Sequence, residues 1–225
     1  MGENFAAVIA ELGLSALALG FLFFLAVLFS SYVKIVTVLG IVRTGFGIGS
    51  LPAAFVTGGL AFALSLFVMY PQIQSASNAA NNVLRGRPTV GDADRAAAVD
   101  AAATEWKKFV QIHAQQAEVT RFQAIAAKVD KKLSAAGEEV AAPAADSWRV
   151  LAPAFVISEL REAFQTGLSI FLPFLVVDLL VAIALAAVGL ERMSPAYVAF
   201  PFKVLLFVAL DGWSIITTNL VATYG

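Results

Sequence analysis

The sequence predicts an all-α membrane protein, built of two hairpins of apolar helices with a small helical subdomain between them. Three observations carry this. Of the 225 residues, 60% are hydrophobic and 14% charged, against about 25% charged in an ordinary soluble domain. The apolar residues gather in four long runs, two early and two late in the chain. Between the two pairs lies a polar, Ala-rich stretch that holds most of the charges of both signs.

The first run, Leu12 to Val33, is uncharged between Glu11 and Lys34. It has the length a bilayer-spanning helix needs, about 20 residues. The chain starts Met1-Gly2-Glu3-Asn4, with no Lys or Arg before Lys34. A secretory leader has a positive start and a short apolar core, so this run is expected to be retained. The second run, Leu51 to Tyr70, follows a link softened by Gly45, Gly47 and Gly49, and Pro52 suits a first helical turn.

Residues 72–149 then read as the subdomain. Trp106, Phe109, Val110, His113 and Ala117 fall on one helical face, and Phe122, Ile125, Val129 and Leu133 on one face of a second helix. Ser134 to Asp146, with Gly137 and Pro143, reads as a linker. The third run, Ala163 to Leu190, is interrupted only by Asp178, and the fourth, Ala196 to Tyr224, contains Lys203 and Asp211. A short link from Glu191 to Pro195 joins them. Pro173 and Pro201 lie inside these runs and invite kinks, as helices bent round a pore or as plain packing kinks.

Basic residues in the short connections set an orientation. Lys34 and Arg43 lie between the first two runs and Arg192 between the last two. By the positive-inside rule these links are cytoplasmic, and the subdomain and both termini are extracytoplasmic.

The charges inside apolar runs are the candidate sites. A carboxylate at mid-bilayer costs about 2.5–3.5 kcal/mol, so Asp178 needs a partner, either as a structural ion pair or as part of a polar seam. Counted from Met193, Asp178 lies 15 residues back and Lys203 10 forward. At about 1.5 Å per residue they differ in depth by roughly 7.5 Å. The partner is therefore Lys203 of the same chain or a group on a neighbouring subunit. Glu159 and Glu162, one helical turn apart, read as cap or seam carboxylates. Trp148, Trp213 and Tyr224 read as interface anchors or packing aromatics.

Other chemistries find little support. The chain has no Cys and a single His, His113, so thiolate and His-pair metal sites are excluded. No H-E-x-x-H, G-x-S-x-G or P-loop motif is present, so neither an enzyme nor a motor is indicated, and no cofactor is implied. A net charge of −1 gives no support to nucleic-acid binding. A small-solute or proton-coupled transporter is the competing class, because Asp178, Lys203 and Asp211 would suit a proton relay.

Four ordered blocks point further. They read KIVTVLGIVR at 34–43, PAFVISELREAFQTG at 153–167, PFLVVDLL at 173–180 and PFKVLLFVALDGW at 201–213. Together they resemble the FliP/SctR (YscR) family of flagellar and injectisome export apparatus. The likeness runs along nearly the whole chain, is strongest over 150–225 and is weak in the Ala-rich subdomain. Thr166 departs from the larger apolar residue usual there.

The resemblance implies a pore-forming subunit of the type III export apparatus in the bacterial inner membrane. It implies a pentamer that, with FliQ/SctS-type and FliR/SctT-type partners, forms a helical cone projecting towards the periplasm. Unfolded substrate proteins pass through its channel. Glu159, Asp178, Lys203 and Asp211 become structural or inter-subunit charges. The family's last link carries consecutive Met residues that project into the channel as a gasket. Here the matching positions are Leu190, Glu191, Arg192 and Met193. The two apolar residues suit such a seal. The two charged ones would form an ionic ring in five copies, or the whole link is a solvated turn.

Overall fold

The computed structural model describes residues 19–86, 89–133, 143–190 and 192–224, together with Gly13, Ala16 and Leu17. Among these there are eight helices and no strand. They are α1 (Leu19–Leu28), α2 (Tyr32–Gly45), α3 (Leu51–Leu84), α4 (Asp92–His113), α5 (Gln116–Leu133), α6 (Trp148–Ala187), α7 (Pro195–Ala209) and α8 (Gly212–Ala222). Two of them, α3 and α6, are long and apolar enough to cross a membrane, or four spans are present if each bent pair counts as one.

The first run is not one straight helix. It breaks at Phe29–Ser31, and α1 and α2 meet at 66°. Ser30 causes the break locally: its Oγ donates to the Val27 carbonyl at 2.7 Å and accepts from the Tyr32 amide at 3.2 Å, the competition with helical bonding that serines offer. The Phe29 carbonyl, freed by the break, accepts from the Trp106 indole at 2.9 Å. Ser31 is buried and bonds Ser65 Oγ of α3 at 3.0 Å. The second helix then carries Lys34 and Arg43 within it rather than in a link, and Lys34 is 1% exposed. A lysine buried among carboxylates is not a free loop charge, which removes one of the residues that the orientation argument used.

The second run extends beyond Tyr70. α3 continues through Pro71 to Leu84, so a single helix passes from the apolar run into the polar region. Its second half packs on α4. The fourth run breaks at Leu210–Asp211, where α7 and α8 meet at 60°. Asp211 sits in the left-handed region, φ 50° and ψ 51°. Gly212 is required beside it, because a Cβ there would lie 2.3 Å from the Phe207 ring. Both sharp breaks are therefore away from proline, while α6 and α7 continue through Pro173 and Pro201.

The subdomain differs from its periodicity in two places. Phe109 and Val110 are buried as expected, but α4 ends at His113, and Ala117 is exposed on α5. On α5 Glu118, Val119 and Ala126 are buried and Phe122 packs on the same core as expected, while Ile125 and Val129 face outward. A buried carboxylate, held by arginines, re-aims that helix. Of the expected linker, residues 134–142 lie outside the described residues.

Two cores result. One joins α2, α3, α6, α7 and α8 through Ile35, Val38, Ala61, Phe174, Phe207 and Ile216. The other joins α3 to α6 through Met69, Phe109, Val119, Leu151 and Phe155. Along α6, Phe155 belongs to the second core and Ala163 to the first. Glu159 lies between them.

Candidate functional site: buried charge between apolar helices

That boundary holds the largest polar cluster. Lys34 from α2 reaches Glu162 Oε2 at 2.5 Å and Glu159 Oε1 at 3.8 Å. Its ammonium sits 4.4 Å above the Tyr224 ring, a cation–π contact that gains strength away from water. The Tyr224 hydroxyl donates to Glu159 Oε2. Gln115, in the α4–α5 turn, donates its side chain to Glu162 Oε1 at 2.9 Å and its amide to Ser158 Oγ at 2.9 Å. Lys34 and Glu159 are each 1% exposed. Removing one partner of such a buried pair strands the other, at about 3–5 kcal/mol. The cluster ties α2, α6, the α4–α5 turn and the chain's end into one unit.

His113 borders it. The imidazole Nδ1 meets the Phe109 carbonyl at 2.9 Å, and the ring lies 4.3 Å from that of Phe109 and 5.0 Å from that of Tyr224. Burial holds its pKa below the ordinary 6.5; the Lys34 charge acts in the same direction, against the Phe109 bond and the Glu162 charge.

The second pair lies further along α6. Lys203 Nζ contacts Asp178 Oδ2 at 2.7 Å, and the same nitrogen donates to the Gly45 carbonyl at 2.8 Å. Gly45 ends α2, so this lysine also satisfies one of the carbonyls that a helix terminus leaves unpaired. The partner is thus in the same chain. Asp178 lies twelve residues before Leu190 and Lys203 twelve after Glu191, so the true centre of the turn is earlier than Met193 and the depth mismatch disappears. Asp178 Oδ1 remains buried without a hydrogen-bond partner. Asp211 does not join them: it is exposed at the α7–α8 break and its side chain makes no bond or ion pair among the described residues.

A third site pins α5 to α6. Glu118 is fully buried, with Arg161 at 2.5 Å and Arg121 at 3.2 Å. The sequence reasoning missed both Lys34 and Glu118 as buried charges. The signal for Lys34 was its place between two uncharged apolar stretches, Leu12 to Val33 before it and Ile35 to Val42 after it.

The α6–α7 link is built differently. Leu190 and Met193 are each 47% exposed and Arg192 is exposed. Glu191 lies outside the described residues. Gly189 turns the chain there with φ 73°. Among the described residues no group of three or more His, Asp or Glu is placed to hold a metal.

The description of the FliP family matches residues 15–220. The chain belongs to the FliP family. It is 40% identical over 208 residues to Pathogenicity-related ORF2 of Xanthomonas campestris pv. glycines, covering 92% of each chain. It is 36% identical over 215 residues to the hypersensitivity response secretion protein HrcR of Ralstonia nicotianae, covering 96% of this chain and 97% of that one. It is 35% identical over 203 residues to Yop proteins translocation protein R of Yersinia pestis, covering 89% of each. As a FliP-family protein it is a membrane component of type III secretion or flagellar export apparatus, a structural family rather than an enzyme family. The matched span takes in all four charge-bearing blocks, so the charged residues Lys34, Glu159 and Glu162 and the Asp178–Lys203 pair lie within the family's extent, while Tyr224 lies just beyond it.

Proposed function

We propose that this chain is a wall segment of the channel through which unfolded substrate proteins leave the cytoplasm. Five copies assemble with FliQ/SctS-type and FliR/SctT-type subunits into a helical cone in the inner membrane that projects towards the periplasm. Residues 1–71 and 150–225 supply its apolar helical pairs, the second a hairpin. Residues 72–149 form an extracytoplasmic subdomain.

One observation supports this above the others. The 40-residue helix α6 is about 60 Å long at 1.5 Å per residue, twice the roughly 30 Å hydrocarbon thickness. Only 6% of its most apolar 18-residue stretch is buried by the chain itself. Leu172, Val176, Leu179, Leu180 and Ile183 are all more than half exposed. A helix twice too long for lipid, whose apolar second half is left bare by its own chain, suits a protein wall in which neighbouring copies cover what lipid does not.

In this reading the charged clusters are structural, holding each segment rigid, and the 190–193 link faces the channel. The native mass of the purified complex tests it, alone and with the two partner types. A ring of five copies is expected; a stable monomer in both preparations would sink the reading.

A further inference from the structure

The turn at 190–193 sits at the end of a lever. Asp178 on α6 and Lys203 on α7 meet across the hairpin, twelve residues before Leu190 and twelve after Glu191, roughly 18 Å from the tip. Beyond that pair the two arms bury little. Among the described residues of 179–202 only Leu185 and Ala199 are buried, and Leu180, Ile183 and Tyr197 are more than half exposed. Phe200 faces α2 and α3 across an open groove of about 500 Å³ and is itself exposed, so it does not hold the arms.

Both arms are also weakened at the level of the pair. Pro173 lies five residues before Asp178 in α6, and Pro201 two before Lys203 in α7. Each removes one backbone bond from its helix and leaves a place where the helix bends at small cost. The direction of the tip is therefore set by whatever splints the arms there.

One side chain supplies the splint. The Lys203 ammonium is buried, and it donates to Asp178 Oδ2 at 2.7 Å and to the Gly45 carbonyl at 2.8 Å. It joins α7 to α6 and both to the end of α2. Asp178 holds it through one oxygen only, since Oδ1 has no partner, so the bond to Gly45 is the second fixed point. Gly45 is helical, and its lack of a side chain serves close approach rather than conformation. A Cβ there would lie 2.5 Å from the Phe174 ring and 2.9 Å from that of Phe171. Only a glycine brings the last carbonyl of α2 within reach of Lys203.

We propose that Lys203 and Gly45 are positioning residues: together they aim the α6–α7 hairpin and so place the turn at its tip. A tilt of about 10° at the base moves a tip roughly 18 Å away by about 3 Å, the width of a water molecule. This role rests on the reading above, in which the turn faces the channel, and adds what aims it there.

The chain has no Cys, so introduced thiols are unique. Spin labels at Ser169→Cys, before Pro173, and Ser194→Cys, beside the turn, report the bend between them; both positions are exposed. Labelled full-length chains are diluted with unlabelled copies and assembled with the partner subunits, and ion leak is read on unlabelled complexes. Gly45→Ala keeps the ion pair and displaces the carbonyl. Lys203→Met removes both bonds, and Asp178→Leu made with it leaves no stranded charge where the single variant fails to assemble. In each assembled variant the spin–spin distance distribution is expected to double in width and the leak to rise several-fold. Gly167→Ala, which crowds α2 against α6 at Ile41 and away from the junction, is expected to leave both as in the wild type. A wild-type distribution in assembled Gly45→Ala and Asp178→Leu/Lys203→Met would overturn the proposal, as would equal broadening in Gly167→Ala. If neither variant assembles, the junction serves assembly and the proposal falls as well. A broadened distribution with unchanged leak upholds the positioning and sinks instead the reading that this turn closes the channel.

Discussion

Lys34 is the residue on which most polar contacts converge, and its substitution has a calculable direction. Lys34→Met keeps much of the stem's bulk and removes the charge, leaving Glu159 and Glu162 facing each other on one helix turn. A loss of about 3–5 kcal/mol is expected. Tyr224→Phe removes only one bond to a carboxylate, and about 1.5–3 kcal/mol is expected. Thermal unfolding of the detergent-solubilised complex ranks the two, and equal losses would show that the cation–π and ionic contacts add nothing beyond the phenol's bond. His113 gives a pH dependence of definite sign. Its folded pKa lies below 6.5 because burial disfavours the charged ring, so the unfolded chain binds the proton more readily. Stability is full above about 6.5 and falls as the pH drops below it, levelling only under the folded value. Replacing His113 by Phe, which fits between Phe109 and Tyr224, is expected to flatten this part of the unfolding profile. An unchanged acid slope would assign the loss to other groups.

At the scale of helices, close approach matters as much as charge. α2 and α6 touch where Gly167 faces Ile41, and a Cβ on Gly167 would lie 2.5 Å from the end of that side chain. Gly167→Ala therefore overpacks the contact, at about 1–3 kcal/mol. Ile41→Ala made in the same chain opens the space again, and the double variant is expected to be more stable than the sum of the two single losses. A strictly additive result in the unfolding cycle would place the clash elsewhere. The contact also shows how far the sequence could be read. Existence and type of the helices followed from uncharged runs, because lipid and protein interior both select apolar residues. The breaks did not. A Phe-Ser-Ser at 29–31 and an Asp-Gly at 211–212 interrupt helices, whereas the three prolines inside α6 and α7 do not, since a proline's lost bond can be tolerated and a left-handed Asp cannot continue a helix. Periodicity found Phe122 on the inward face of α5 but not the rest of that face, because Glu118 is buried by virtue of Arg161, 43 residues away in sequence. Hydropathy ranks residues one at a time; a buried ion pair is a property of two.

For the whole molecule, the channel proposed above raises the question of how a passage wide enough for an unfolded chain stays closed to ions. The cone reading places the turn between α6 and α7 at the constriction, with one Leu190, one Arg192 and one Met193 from every copy. Apolar rings close a pore by excluding water, and Met is suited to it because its unbranched side chain adapts to neighbours and to passing chains. Charged rings act oppositely, keeping a pore wet and selecting ions by sign. Leu190 and Met193 are about half exposed, and Arg192 stands between them in sequence with its own charge exposed. If the two apolar positions form the seal, Leu190→Ala and Met193→Ala each raise the ion leak of membranes bearing the assembled complex, and the pair together raises it further. Arg192→Ala removes a ring of charge without removing apolar bulk, so its leak falls or stays level. Conductance of planar bilayers, with complex assembly verified for each variant by native mass, reads these outcomes directly. Unchanged leak in both alanine variants would move the seal away from this turn. A leak that falls in Arg192→Ala while the apolar variants stay silent would make the ring of charge, and not the hydrophobic side chains, the element that sets conductance here.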